Sequence, residues 1–118
     1  MDNYLQIAYK ALDDKFGEDI KIIDLRGVST LTDYFVITNG SSQTQVKAIA
    51  DEVSEKLAAT GLRMKSSEGH SGGSWILLDF GDIIVHVFDK PSREFYNLER
   101  VWGDAPVVTI GVQSDEGN

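Results

Sequence analysis

The sequence predicts one α/β domain, built on a mixed β-sheet with helices packed against it. Its 118 residues fit a single domain and are few for two. Segments with apolar residues at helical spacing alternate with β-branched and aromatic runs, an order typical of a sheet with flanking helices. The stretch Trp75 to Asp89, WILLDFGDIIVHVFD, has the form of a β-hairpin, so neighbouring strands in this part of the sheet are antiparallel.

The chain opens with a helix predicted over residues 2–16. Its apolar residues recur at helical spacing: Leu5, Ala8, Leu12 and Phe16. Gly17 is expected at the C′ position, where the left-handed backbone favours glycine. Strands are predicted next over residues 19–25 and over residues 33–39, because both runs are rich in β-branched or aromatic side chains.

The second predicted helix has the clearest signals in the chain. Ser42 and Gln45 form a capping box, in which Ser42 caps the helix and the Gln45 side chain reaches back. The helix is expected to end at Thr60-Gly61. Its apolar stripe comprises Val46, Ile49, Ala50, Val53 and Leu57.

A short strand is predicted over residues 62–65. The polar, glycine-rich residues 66–74 are expected to form a mobile loop before the hairpin. The segment Glu68-Gly-His-Ser-Gly-Gly73 has the composition of a phosphate or metal loop, but a flexible connector has the same composition, and His70 alone does not distinguish them.

The third helix is predicted to begin with Ser92 as its N-cap and to stop at Gly103. Its inner side is expected to carry Phe95, Leu98 and Trp102. On or near its outer side it presents Arg93, Tyr96 and Arg100, which are either solvated or the rim of an interface.

Residues 1–106 are interpreted as the domain and residues 107–118 as a C-terminal extension. Within the extension, residues 107–112 are expected to form an edge strand or to remain a tail. Residues 113–118 are expected to be disordered.

Gly81-Asp82 is the predicted turn of the hairpin, since glycine at the first central position is typical of a type II′ connection. Phe80 then pairs with Ile83, and the strand period of two sorts the other side chains onto two faces. One face is apolar: Ile76, Leu78 and Phe80 opposite Val87, Val85 and Ile83. The other face mixes apolar groups with an acid and an imidazole: Trp75 opposite Phe88, Leu77 opposite His86, and Asp79 opposite Ile84.

The mixed face is predicted to be partly open. An unpaired carboxylate such as Asp79 is almost never buried completely, so we do not expect a helix to cover the whole face. Tryptophan is enriched among binding hot spots, which makes Trp75 a candidate for contact with a partner. The alternative is that a helix covers Trp75 and Phe88 and makes both part of the core. His86 lies diagonal to Asp79, so an imidazole–carboxylate hydrogen bond is one possibility, and an ordinary hydrogen-bonded sheet histidine is the default.

Gly40-Ser41 stands between a strand and a helix N-terminus, a place that can hold an anion. It lacks the Gly-Lys-Ser/Thr ending of a P-loop, but it resembles the Gly-Ser of nucleotidyltransferase folds, which helps to hold a triphosphate. Such enzymes also need clustered carboxylates for metal-ion catalysis. Asp79 and Asp82 are the candidates, and their spacing does not make a convincing metal pair, so no catalytic or metal-binding residue is predicted.

Charge and composition narrow the partner class. The formal net charge is -8, from 19 acidic residues against 11 Lys and Arg, so a phosphate backbone is not expected as the main ligand. A basic protein partner would be attracted, although solubility alone also explains the charge. There is no cysteine, no signal-peptide pattern and no apolar run of membrane-spanning length, which together predict a cytoplasmic protein.

Several blocks, in order along the chain, resemble the Iojap and ribosomal silencing factor (RsfS) family. They are DYFVITNGS from Asp33, IAD from Ile49, EG from Glu68, WILLDFGDIIVHVF from Trp75, and REFYNLERVW from Arg93. The resemblance covers about residues 2 to 106.

The resemblance implies a binding function without catalysis or a cofactor. Members of the family bind the fourteenth protein of the large ribosomal subunit, block joining of the small subunit and lower translation when nutrients are scarce. The family fold is related to nucleotidyltransferases, which would make Gly40-Ser41 an inherited turn, and homologues form homodimers off the ribosome.

We expect the mixed face to be the recognition surface. The candidate partner-binding residues are Trp75, Leu77, Asp79 and His86 on the sheet, with Arg93 and Tyr96 on the adjacent helix. Two alternatives remain open: a nucleotidyltransferase-like enzyme that uses Gly40-Ser41, and a dimeric scaffold in which the mixed face is the homodimer contact.

Overall fold

A six-stranded mixed sheet with helices on both sides forms the domain, as the computed structural model describes it for residues 2–110. This arrangement confirms the predicted α/β class. The helices are α1 Asp2–Asp14, α2 Gln43–Ala58, α3 Lys90–Tyr96 and α4 Leu98–Val101. The strands are β1 Glu18–Asp24, β2 Tyr34–Gly40, β3 Ser66–Glu68, β4 Trp75–Asp79, β5 Ile83–Asp89 and β6 Val107–Val108.

The strands lie in the order β3-β4-β5-β2-β1-β6. The central pair β2 and β5 is parallel and is buried along most of its length, whereas all other neighbours are antiparallel. Parallel pairing between strands that are distant in sequence requires a crossover connection. Here α2 provides the crossover and packs on the face of the sheet that carries Ile76, Leu78 and Phe80. We call this the first face.

The β4–β5 hairpin has the predicted register. The Phe80 N–H donates to the Ile83 carbonyl at 2.9 Å, and Gly81 has φ +90°, a value that its lack of a Cβ allows. The three predicted pairs of the mixed face are all present: Trp75 with Phe88, Leu77 with His86, and Asp79 with Ile84.

Helices α1 and α2 bury the first face. The predicted stripe of α2 is confirmed, since all five of its residues are fully buried: Val46, Ile49, Ala50, Val53 and Leu57. In α1 the stripe holds for Leu5, Ala8 and Leu12, which are also fully buried. The prediction is wrong for Phe16, which is 78% exposed because the helix ends at Asp14.

The end of α1 uses its glycine differently from the prediction. Phe16 takes the left-handed conformation, with φ +64°, and the next N–H, that of Gly17, donates to the Leu12 carbonyl at 2.8 Å. Gly17 is needed for space, because a Cβ there would lie 2.8 Å from Thr38 Oγ1.

Strand β3 corrects the prediction for residues 62–74. The predicted strand at residues 62–65 is absent, and the strand forms instead at Ser66–Glu68, inside the segment predicted to be a loop. All three residues are exposed, so no burial pattern marks them. Their strand conformation comes from backbone pairing with β4, which the side-chain pattern does not encode.

The third predicted helix is two short helices. Asp89 caps α3 in place of Ser92, because its carboxylate accepts from the Ser92 N–H at 2.9 Å and Pro91 then lies in the first turn. Asn97 takes a left-handed conformation, with φ +47°, and separates α3 from α4.

Of the two alternatives for residues 107–112, an edge strand forms over the first two residues, and residues 111 and 112 lie outside the described residues. Val107–Val108 pairs with Ile22 and Ile23 of β1. The disorder predicted for residues 113–118 lies outside the described residues. Within residues 2–110, none of the helices has the length and apolar character needed to cross a membrane.

Candidate functional site

The second face, opposite α1 and α2, is covered over only half its width. Leu98 and Trp102, on and just after α4, pack against the buried cluster of this face, which includes Ile23, Phe35 and Ile37. Trp102 meets Phe35 edge to face, with ring centroids 6.0 Å apart. This covered half is ordinary core.

The other half, formed by β3 and β4, stays accessible, and we call it the open half. Its half-buried residues are Trp75, Leu77 and Asp79, and its exposed residues are Ser66 and Glu68. A shallow pocket of about 200 Å³ lies there, lined by Glu68, Gly69, Trp75 and Leu77. The predicted partial openness of this face is therefore confirmed. The alternative, in which a helix makes Trp75 and Phe88 part of the core, is wrong for Trp75, which is half-buried, and correct for Phe88, which is fully buried.

An aromatic cluster extends from the open half onto α3. The Trp75 ring stacks on Phe88, with centroids 4.9 Å apart, and meets the Tyr96 ring at 4.6 Å. Phe95 packs edge to face against Tyr96 at 5.1 Å. Tyr96 is 48% exposed and Phe95 is 80% exposed, so two large rings face solvent beside Trp75. Exposed aromatic groups in such a patch are typical of a protein–protein contact.

The periodicity of the sequence predicts Phe95 on the inner side of the third helix, and this prediction is wrong. Residues 95, 98 and 102 share one side only if the helix is continuous, and the left-handed Asn97 breaks it. Asn97 itself was the available signal, because asparagine tolerates the left-handed conformation that ends helices.

Asp79 and His86 do not contact each other as hydrogen-bond partners. Asp79 accepts from the Gly81 N–H at 2.8 Å and so stabilises the hairpin turn. His86 is 3% exposed, and its Nδ1 accepts from the Trp75 indole N–H at 3.1 Å. Burial lowers the pKa of His86 to about 4, so the imidazole is neutral at physiological pH.

Arg93 is not on the outer side of its helix, which corrects the prediction. The residue is 6% exposed, and its guanidinium donates to Asn39 Oδ1 at 2.9 Å and to the Glu18 carbonyl at 3.2 Å. It also donates twice to Glu99 Oε2, at 3.0 and 2.7 Å. A planar guanidinium suits such a set of fixed acceptors, and it joins α3, α4 and the sheet.

The Gln45 side chain accepts hydrogen bonds from the two donors of Ser41 in the Gly40-Ser41 loop. Ser42 caps α2 as predicted, with its hydroxyl accepting from the Gln45 N–H at 3.1 Å. The Gln45 side chain reaches Ser41 rather than Ser42, and its Oε1 accepts from the Ser41 N–H at 2.6 Å and from the Ser41 hydroxyl at 2.7 Å. Both groups that a phosphate would need on Ser41 are thus engaged within the chain.

The glycine-rich loop is tied to α2 through its histidine. His70 Nε2 lies 2.9 Å from Asp51 Oδ1, and both side chains are exposed. Among residues 2–110 no group of three or more His, Asp or Glu side chains is placed to hold a metal ion.

Comparison with known proteins agrees with the resemblance. A family model described as "Ribosomal silencing factor during starvation" matches residues 1–118. Ribosomal silencing factor RsfS of Bacillus subtilis is 46% identical over 106 residues, which are 90% of this chain and 90% of that protein.

More distant relatives and solved structures agree as well. The chloroplastic protein Iojap of Arabidopsis thaliana is 36% identical over 106 residues, 90% of this chain and 44% of that protein. A crystal structure of a Chromobacterium violaceum protein superposes with a TM-score of 0.84 at 38% identity, covering 86% of this chain and 84% of that chain. The chain therefore belongs to the ribosomal silencing factor family, whose name places it among ribosome-related regulators of translation.

Proposed function

We propose that this chain binds the large ribosomal subunit through its fourteenth protein, blocks joining of the small subunit and so represses translation during starvation. Membership of the ribosomal silencing factor family supports the ribosomal partner. The observation that carries the binding mode is the open half with its aromatic cluster, which we call the docking face. Its accessible residues are Glu68, Trp75, Leu77, Asp79, Phe95 and Tyr96.

The chemistry of the docking face favours a protein partner with basic residues. Trp75, Phe95 and Tyr96 offer large apolar surfaces, and rings of this kind dominate the energetics of protein contacts. Glu68 and Asp79 add negative charge beside them, and the whole chain carries a formal charge of -8. Opposite charge on the partner would speed encounter and fix orientation more than it would raise affinity.

The six residues proposed from the sequence divide into two roles. Trp75, Leu77, Asp79 and Tyr96 reach the surface and are proposed to touch the partner. His86 and Arg93 are buried, so their proposed contribution is to hold the contacting residues in place.

The mechanism is steric exclusion without catalysis. A protein of 13.0 kDa seated on the subunit interface occupies space that the small subunit needs. Off the ribosome we propose a homodimer, and we propose that the protein acts in the cytoplasm, where it meets free large subunits.

The sharpest test compares two phenylalanines that are exposed to nearly the same extent at different places on the surface. Phe95 is 80% exposed on the docking face, and Phe16 is 78% exposed at the end of α1. Removal of a hot-spot ring costs about 2 kcal/mol, so Phe95→Ala is expected to weaken binding to purified large subunits about thirtyfold, and Phe16→Ala is not expected to change it. Equal affinities of the two variants in co-sedimentation would contradict the proposed face.

An assay of subunit joining tests whether binding through the docking face blocks the small subunit. The double variant Trp75→Ala, Asp79→Arg is expected to lose inhibition of joining, measured by gradient sedimentation of mixed subunits. Cross-linking of the wild-type complex is expected to capture the fourteenth protein. A homodimer that stays intact when mixed with large subunits would favour the scaffold alternative instead.

A further inference from the structure

The indole of Trp75 is hydrogen-bonded to the buried imidazole of His86. Its Nε1–H donates to His86 Nδ1 at 3.1 Å. An indole nitrogen is a donor only, so Nδ1 must be unprotonated to accept, and the proton of the neutral ring then resides on Nε2.

That tautomer leaves one buried polar atom without a hydrogen-bond partner. His86 Nε2 is buried and has no hydrogen-bond partner within residues 2–110. The nearest aromatic neighbour is Phe35, whose ring centroid lies 4.4 Å from that of His86 in an edge-to-face arrangement. An aliphatic residue would fill this strand position without burying an unpaired donor, so packing alone does not account for a histidine.

The hydrogen bond supplies an orientation that the ring contacts of Trp75 do not. Phe88 and Tyr96, at 4.9 and 4.6 Å from the Trp75 ring, restrict the plane of the indole. Such ring contacts are weakly directional within that plane, whereas a hydrogen bond fixes which edge of the ring points into the sheet. An anchor that is already oriented loses less conformational entropy on binding and therefore binds more tightly.

We propose that His86 is the positioning residue of the docking face: its Nδ1 orients Trp75 for the partner, and His86 itself makes no contact with that partner. This inference rests on the proposed function, since it concerns the same face. It assigns the buried imidazole a role in affinity, which a merely structural histidine would not have.

Two substitutions separate the hydrogen bond from the volume of the ring. His86→Asn retains an acceptor, because asparagine Oδ1 occupies the place of histidine Nδ1. His86→Leu retains bulk without an acceptor. In the free protein, the indole N–H of Trp75 is followed by proton–nitrogen NMR, and Trp102, the second of two tryptophans, is the internal reference.

We expect the Trp75 indole resonance to shift and its hydrogen exchange to accelerate about tenfold in His86→Leu, with recovery in His86→Asn and no change at Trp102. Affinity for purified large subunits should fall about threefold to tenfold in His86→Leu and recover in His86→Asn. Equal affinity of both variants and wild type would overturn the positioning role while leaving the docking face intact. If Trp75→Ala also left affinity unchanged, the docking face itself would fail.

A measurement on the wild-type protein covers the case in which His86→Leu does not fold. Imidazole nitrogen shifts report the tautomer directly, and we expect the proton on Nε2. A proton on Nδ1 would overturn the proposal, because that atom could not then accept from Trp75.

Discussion

The two faces of the sheet bury different kinds of side chain. The cluster under α1 and α2 consists of aliphatic and aromatic residues, and the polar Thr38, which is buried on the same face, donates its hydroxyl to the Glu18 carbonyl at 2.7 Å. The second face instead buries an amide, an imidazole and a guanidinium close to α3: Asn39, His86 and Arg93. Apolar packing stabilises a fold without strict orientation of each group, whereas hydrogen bonds set direction. A face that presents a few side chains to a partner benefits more from such directional support than a sealed face does.

The largest expected effect comes from the first face. Ile49 is fully buried in α2, so Ile49→Ala should lower the free energy of unfolding by about 4 kcal/mol through lost burial and a cavity. Urea denaturation measures the loss. The folded fraction is expected to bind large subunits with wild-type affinity, and weaker binding by fully folded Ile49→Ala would break the distinction between the faces.

Arg93→Met should cost less, about 3 kcal/mol. The loss of the guanidinium leaves Asn39 and Glu99 without their donor, but the Glu99 side chain is 24% exposed and water can compensate it in part. Arg100, which is exposed on α4, is the matched control, and Arg100→Met should change stability by less than about 0.5 kcal/mol. Similar denaturant midpoints for the two variants would show that the buried guanidinium does not hold α3 and α4 in place.

The buried imidazole predicts a pH dependence. The pKa of His86 is lowered from 6.5 to about 4, so its contribution to stability is complete above the unfolded pKa and is lost as the pH falls toward the folded one. Between about pH 7 and about pH 5, protonation of the unfolded chain at this residue should remove about 2 kcal/mol. Denaturation of wild type and His86→Leu at both pH values separates the contribution of His86 to the pH dependence of stability from that of the carboxylates. Identical pH slopes would contradict it.

The smallest expected effect concerns the loop between β2 and α2. Gln45 accepts twice from Ser41 and donates to the Lys15 and Phe16 carbonyls, so Gln45→Ala should lower stability by about 1 kcal/mol. Gln43, with one side-chain hydrogen bond of 3.3 Å to Ser74, is the control, and Gln43→Ala should lower stability less.

Calorimetry of wild type with a nucleoside triphosphate and magnesium is expected to show no binding. Tight binding that Ser41→Ala removes would revive the nucleotidyltransferase alternative.

Much of the fold could be predicted, because its signals are local. The α2 stripe follows from the helical period, and the β4–β5 register follows from the turn at Gly81 together with the strand period of two. The same register places Trp75, Leu77 and Asp79 on one face without reference to any tertiary contact. The candidate site was predictable to the extent that it lies on this hairpin.

The sequence by itself determined the main helices, the hairpin and the family, since periodicity, turn residues and ordered blocks are properties of neighbouring residues. The tertiary structure alone decided that Ser66–Glu68 becomes a strand, that Arg93 turns inward and that His86 bonds to Trp75. The outward turn of Phe95 follows from the helix break at Asn97, for which asparagine is a local signal. Each of these outcomes depends on a partner distant in the chain or on one left-handed residue. A pattern read along the sequence carries no information about which distant backbone or side chain will lie within hydrogen-bonding distance.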